Sequence, residues 1–326
     1  MEPLPEPVAR AIVQRYARIL AAFGTEIGAR PLVLPNADFF PDTFTGDAKS
    51  LKRLVKRMQV HAGMADIPIR PVLVDESEDA HGHAHSGGCG SGGCAVPRAG
   101  TDSPARLTEE GDGYRLAFEP GEVRHPVALT TTVARALAMV FLAETQTPET
   151  PIEAPVELSV DLAAVALGFG ELLLEGSHVY SKGCGGPSIA KLTALGPAEL
   201  ALACALFVAR GGHSARALQK ELAPTQREAL DEARALLKQN PSIVRQLDED
   251  PARLAAGDFE LGTAEAPLLS RWFGKKKRDD DLSLDELEAM LSAAPRPKKA
   301  AKKDRETDEL SALVDEALRD ARADAE

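Results

Sequence analysis

Apolar residues recur at three- and four-residue steps from Pro5 to about Phe23, with Val8, Ile12, Val13, Tyr16, Ile19, Leu20 and Phe23 on one face; this period predicts an amphipathic helix. The short apolar run "RPLVLP" predicts a buried strand, and "NADFFPDTFTGD" a turn-rich aromatic connection. From Ala48 to about Met64 the helical period returns, with Lys49, Lys52, Arg53, Lys56 and Arg57 on the outer face. "IPIRPVLVDE" and "GYRLAFEPGEV" predict two further strands. Then "PVALTTTVARALAMVFLAET", Pro126–Thr145, is apolar on more than one face, the pattern of a helix buried on most sides.

A proline-rich spacer, "TQTPETPIEAP", precedes a long helical pattern from about Val156 to Glu175, and "GSHVYSKGCGGPS" is expected to be a loop. Gly196–Pro197 opens an apolar helix through Arg210. Two more helices are expected over Ser214–Leu222 and Thr225–Gln239, the second with Ala229, Ala233, Leu236 and Leu237 along one side. The order of elements predicts an α+β fold, with a small N-terminal sheet and its helices followed by a helix-rich C-terminal half.

Order is expected to end near Leu269, giving a domain over 1–270 and a charged tail over 271–326. The tail holds two short amphipathic patterns. Ser283 and Glu286 form a capping box before a stripe of Leu284, Leu287, Met290 and Leu291. Leu310, Leu313, Val314, Ala317 and Leu318 form the second stripe. Helices this short are marginal alone in water, so the stripes point to docking on a protein partner, with a solvated tail as the alternative.

Composition narrows the classes. The chain has 326 residues, 44% of them hydrophobic, enough for a sizeable core. Its net charge of -12 disfavours nucleic acid as a partner. The start of the chain has no cationic, apolar leader pattern, and the runs Ala136–Ala143 and Leu200–Ala209 are too short for a membrane span, so a cytoplasmic location is expected. Four cysteines are too few for a disulfide scaffold at this length, which agrees with a reducing compartment.

Three stretches carry a family resemblance: "LPNADFFPDTFTGD", "HPVALTTTVARALAMVFL", and "ELSVDLAAVALGFG" followed by "ELALACALFVARGG". Over about Arg30 to Gln246 the chain resembles a bacterial family of uncharacterised, zincin-like proteins with a metallopeptidase fold. The resemblance implies a zinc site whose first helix reads approximately Ala-His-Glu-Leu-Ala-His, with a glutamate ligand and a supporting aspartate on the next helix. Here the first six positions are Ala134, Arg135, Ala136, Leu137, Ala138 and Met139, while Glu157 and Asp161 keep the second spacing. Arginine cannot bind zinc, alanine removes the general base, and methionine is a poor ligand. The implied site is therefore degenerate, and Glu157 is expected to pair with Arg135 in place of the metal.

The stretch 77–104 is rich in glycine, serine, histidine and cysteine and reads as a flexible insertion. Its His81, His83, His85, Cys89 and Cys94 offer ligands for zinc or another transition metal, although the cysteine spacing is looser than in structural zinc sites. The two cysteines could also close a redox-sensitive disulfide. Cys204, in an apolar helix, is expected to be a buried small hydrophobe.

Together these features predict a non-catalytic, pseudoenzyme-like protein that binds or scaffolds partners. One alternative is a metal-handling or metal-sensing protein using the His81–Cys94 loop. The other is a hydrolase with an unconventional site around Glu157, Asp161 and His178.

Overall fold

The computed structural model describes residues 4–74, 106–183 and 186–262. The chain divides into two units, Met1–Glu265 and Ala266–Glu326. The second lies wholly outside the described residues.

Helix α1, Glu6–Ile27, starts at a proline-led first turn and buries Ile12, Val13, Tyr16, Ile19, Leu20 and Phe23, the face that the period predicts. Helix α2, Ala48–Ala62, is capped by Asp47, whose side chain accepts from the Ser50 amide at 2.7 Å. It stops at Gly63, whose φ of 69° is the left-handed conformation that closes many helices. Strands β1 (Ile69–Leu73), β2 (Leu107–Glu110) and β3 (Gly113–Phe118) form a sheet ordered β1-β3-β2. β1 runs parallel to β3, and β2 pairs antiparallel with it. The mixed helices and small sheets make this an α+β fold.

After the single turn α3, Pro120–Val123, comes α4, Pro126–Thr145. Leu129, Val133, Leu137, Val140, Phe141 and Leu142 are all buried, as are Ala134, Ala136 and Ala138 on the other sides. Leu, Ile or Phe replaced by alanine in such a core costs roughly 2–5 kcal/mol. By length and mean hydropathy, 1.6, α4 would suit a bilayer, yet 61% of that window is buried within the fold. Arg135 interrupts the apolar stretch of α4, which continues on both sides of it.

The long helix expected from Val156 is broken. Helix α5, Val156–Ala164, passes through a π-helical turn, Val165–Phe169, into α6, Gly170–Gly176. The break sits at Gly168, with φ 98°, and an added Cβ there would lie 2.1 Å from the Pro31 carbonyl oxygen. The same glycine carbonyl accepts the Val33 amide at 3.0 Å. This explains why "RPLVLP" is not a strand: Leu32–Leu34 is buried, but its backbone is met by the kinked helix instead of a neighbouring strand.

The expected loop after α6 is also corrected. It contains an antiparallel hairpin, β4 (Val179–Gly183) and β5 (Gly186–Ala190), in which Tyr180 lies opposite Ile189. Helix α7, Pro197–Arg210, follows, then α8 (Ala215–Glu221), α9 (Pro224–Gln239), α10 (Pro241–Glu249) and α11 (Pro251–Ala255). α9 packs on α7 and α11 on α1, while α4 packs on α5 and α6, and α5 also on α1.

Candidate functional site

Arg135 and Asp161 are brought together where α4 crosses α5. Asp161 is fully buried, and Arg135 Nε donates to its Oδ1 at 2.8 Å. The other carboxylate oxygen, Oδ2, accepts the amides of Ala194 at 2.7 Å and Leu195 at 2.9 Å. Burial raises the Asp161 carboxyl, and the guanidinium and the two amides oppose it. Every partner of the side chain is an N–H donor, so the group sits as the carboxylate. A buried ion pair of this kind stabilises little compared with an apolar pair of the same shape, but losing one partner is severe.

The expected Arg135–Glu157 pair is therefore corrected by one helical turn. Glu157 is exposed near the start of α5 and makes no ion pair among the described residues. The exposed position keeps its charge in water, whereas the buried Asp161 requires a donor, which decides where the guanidinium goes. Ala136 is buried, and Met139 is 44% exposed, one turn beyond Arg135 on α4. His178 is half-buried, with its carbonyl accepting from Gln226 Nε2 at 3.2 Å. Asp161 is taken up by its three donors, so Glu157, Asp161 and His178 do not act as one hydrogen-bonded group.

The amides bound by Asp161 belong to the segment that leaves the hairpin. Leu192 donates its amide to the Gly176 carbonyl at 2.9 Å, and Thr193 Oγ1 donates to the Leu195 carbonyl at 2.7 Å. Arg135 Nη1 reaches the Leu192 carbonyl at 3.4 Å. The ion pair thus clasps three pieces of chain, α4, α5 and the foot of β5. Above that foot, Tyr180 and Ile189, opposite each other across the ladder, are 59% and 62% exposed.

A second buried acid lies further along. Glu171 of α6 is fully buried, and neither of its oxygens has a hydrogen-bond partner. Burial pushes its carboxyl up to about 8, helped by the charges of Glu175 and Glu221. Close to it is Cys204 of α7, buried as expected and with its thiol raised by burial and by Glu171. The helices meet closely there: a Cβ on Gly170 would lie 2.7 Å from the Cys204 sulfur. On the sheet side, Arg106 Nη1 bonds both oxygens of buried Glu122 at 2.7 Å, and Thr132 of α4 donates to the same carboxylate.

His81, His83, His85, Cys89 and Cys94 lie outside the described residues, as do Leu284, Leu287, Met290, Leu291, Leu310, Leu313, Val314 and Leu318. Among the described residues, no group of three or more His, Cys, Asp or Glu side chains is placed to hold a metal ion. No protein-family model, curated protein or solved structure matches the chain. Its class is therefore defined by its own architecture, an α+β domain with a helical core and a projecting hairpin. Tyr180 and Ile189 are not legible in the sequence because "VYSKG" and "GPSIA" show no alternation of apolar and polar positions and carry the glycine and proline of a loop.

Proposed function

We propose that the chain is a non-catalytic, protein-binding or scaffolding protein, built on a degenerate zincin-like helix pair. The observation that carries the reading is the exposed pair Tyr180 and Ile189 on a two-stranded hairpin. An isolated hairpin is at best marginally stable in water, and an aromatic facing an aliphatic residue across the ladder is a ready contact for another protein. The Arg135–Asp161 clasp supports the same reading from below, because it joins the implied first-ligand position to that of the supporting aspartate and anchors the strand's foot.

The test compares the full chain with a Tyr180→Ser/Ile189→Ser variant by affinity capture and quantitative mass spectrometry from the source cells. The reading expects a defined partner to fall by about tenfold or more with the hairpin variant and to be retained by a Val156→Ser control, Val156 being exposed elsewhere. An unchanged partner set overturns the binding half. Turnover of a peptide library by the purified chain, lost on Asp161→Asn, overturns the non-catalytic half.

A metal-handling role is the second reading, favoured by the three histidines and two cysteines between His81 and Cys94. Native mass spectrometry tests it: metal carried by the parent and lost when these five residues are replaced supports it, and a metal-free parent removes it.

A further inference from the structure

A groove separate from the hairpin lies between the loop 35–44, α2 and the start of α4. It encloses about 380 Å³, and Pro35, Phe40, Phe44, Leu54, Pro126 and Leu129 supply its apolar lining. That volume is at the small end for ligand pockets, which run roughly 300–1,000 Å³, and suits a few apolar side chains. Its one lining arginine, Arg57, is occupied by Asp42, with Nη2 2.6 Å and Nε 3.1 Å from Oδ2. The floor therefore offers apolar contact and no free charge.

The rim differs. Ser50, Leu54 and Arg57 face the groove, and the residue preceding each on α2, turned by about 100°, is a cation: Lys49, Arg53 and Lys56. Val60, 57% exposed, continues that row one turn further. Arg53 donates to the Thr43 carbonyl at 3.2 Å and Lys56 to the Ala65 carbonyl, bonds that fix the side chains without neutralising them. Among the described residues Lys49 and Lys56 make no ion pair, Arg53 lies within electrostatic reach of the capping Asp47 alone, and α2 itself contains no acidic residue. In a chain of net charge -12, this cationic row beside an apolar groove is a local reversal of charge.

We propose that the groove docks a short acidic, amphipathic segment of another protein, with its apolar side chains in the groove and its carboxylates along Lys49, Arg53 and Lys56. The apolar lining favours a peptide over a nucleic acid, whose phosphates would engage the rim and leave Phe40, Phe44 and Leu54 unused. Like the partner reading above, this rests on protein binding, but it names a different surface and the chemistry of what sits there.

Fluorescence anisotropy of the full chain with a fluorescein-labelled synthetic peptide of glutamate and leucine in helical spacing tests it. Saturable binding is expected, weakening about tenfold or more on Phe44→Ser and on Lys49→Glu/Arg53→Glu/Lys56→Glu, and weakening as salt is added. Phe44 is 39% exposed in the loop before α2 and lies outside the buried core, so its replacement leaves the core intact. The Tyr180→Ser/Ile189→Ser chain keeps the peptide affinity, which separates failure of the groove from failure of the hairpin. The proposal is overturned by absent binding, by equal binding of the groove variants, or by polyglutamate or single-stranded DNA binding as tightly as the peptide. Self-association lost on Phe44→Ser also overturns it, by giving the groove to a second copy of the chain.

Discussion

Asp161 and Glu171 are both fully buried on one kinked helical run, and their surroundings are opposite. Asp161 accepts three hydrogen bonds, one from a guanidinium, while both oxygens of Glu171 are unpartnered. The first is a charge held in place by donors; the second stays folded by keeping its proton. Burial alone therefore does not tell a structural carboxylate from a strained one. The donors around it do.

The largest effect is expected where that contrast is removed by force. Arg135→Met leaves Asp161 buried with two amides but no cation, and a loss of roughly 3–5 kcal/mol is expected by denaturant unfolding. The same variant should loosen the foot of the hairpin, read as faster amide exchange at Ala194 and Leu195. A neutral result would move Asp161 into the same class as Glu171.

Glu171 sharpens the comparison through pH. An acid whose folded value lies above its unfolded value keeps its proton in the fold while the unfolded chain releases it. Stability therefore falls as pH rises from the ordinary glutamate value of 4.5 to about 8, and levels off beyond. Across that window the fall is expected to be on the order of 5 kcal/mol. Glu171→Gln should flatten it. A wild-type slope that survives the substitution would show that another group carries it.

The kink between the two acids sets how they are placed. Gly168→Ala puts a Cβ against the Pro31 carbonyl at 2.1 Å and forces φ 98° on a residue with a side chain, so a loss of about 1–3 kcal/mol is expected in a thermal melt. At the far end of the scale, Tyr180→Ser/Ile189→Ser should change stability by about 0.5 kcal/mol or less, since both residues are exposed. Its effect belongs to binding, and a large stability loss there would place the pair in the fold instead.

The legibility of these features in the sequence follows physical lines. Helices α1, α2, α4, α7 and α9 are written in repeated apolar spacing, and strands β1 and β3 in apolar runs ended by turn residues. The Arg30–Pro35 run has the same composition as a strand, and only the tertiary contact with Gly168 decides its state. The helix pair is visible in its two motifs, but the choice between Glu157 and Asp161 depends on which turn faces the core. Glu171 sits within "GELLLEG" with no local mark of its burial. Strand β2 escapes notice because two of its four residues are exposed glutamates.

The central claim is that α4 and α5 are joined by a charge clasp between Arg135 and Asp161. A double-mutant cycle on Arg135→Met and Asp161→Leu, read by equilibrium denaturation, tests it most directly. Each single change should cost roughly 3–5 kcal/mol, and the double change should recover most of that loss, because an apolar pair replaces a buried ion pair at little cost. Two single changes that are each near neutral, or that simply add in the double variant, would contradict the clasp.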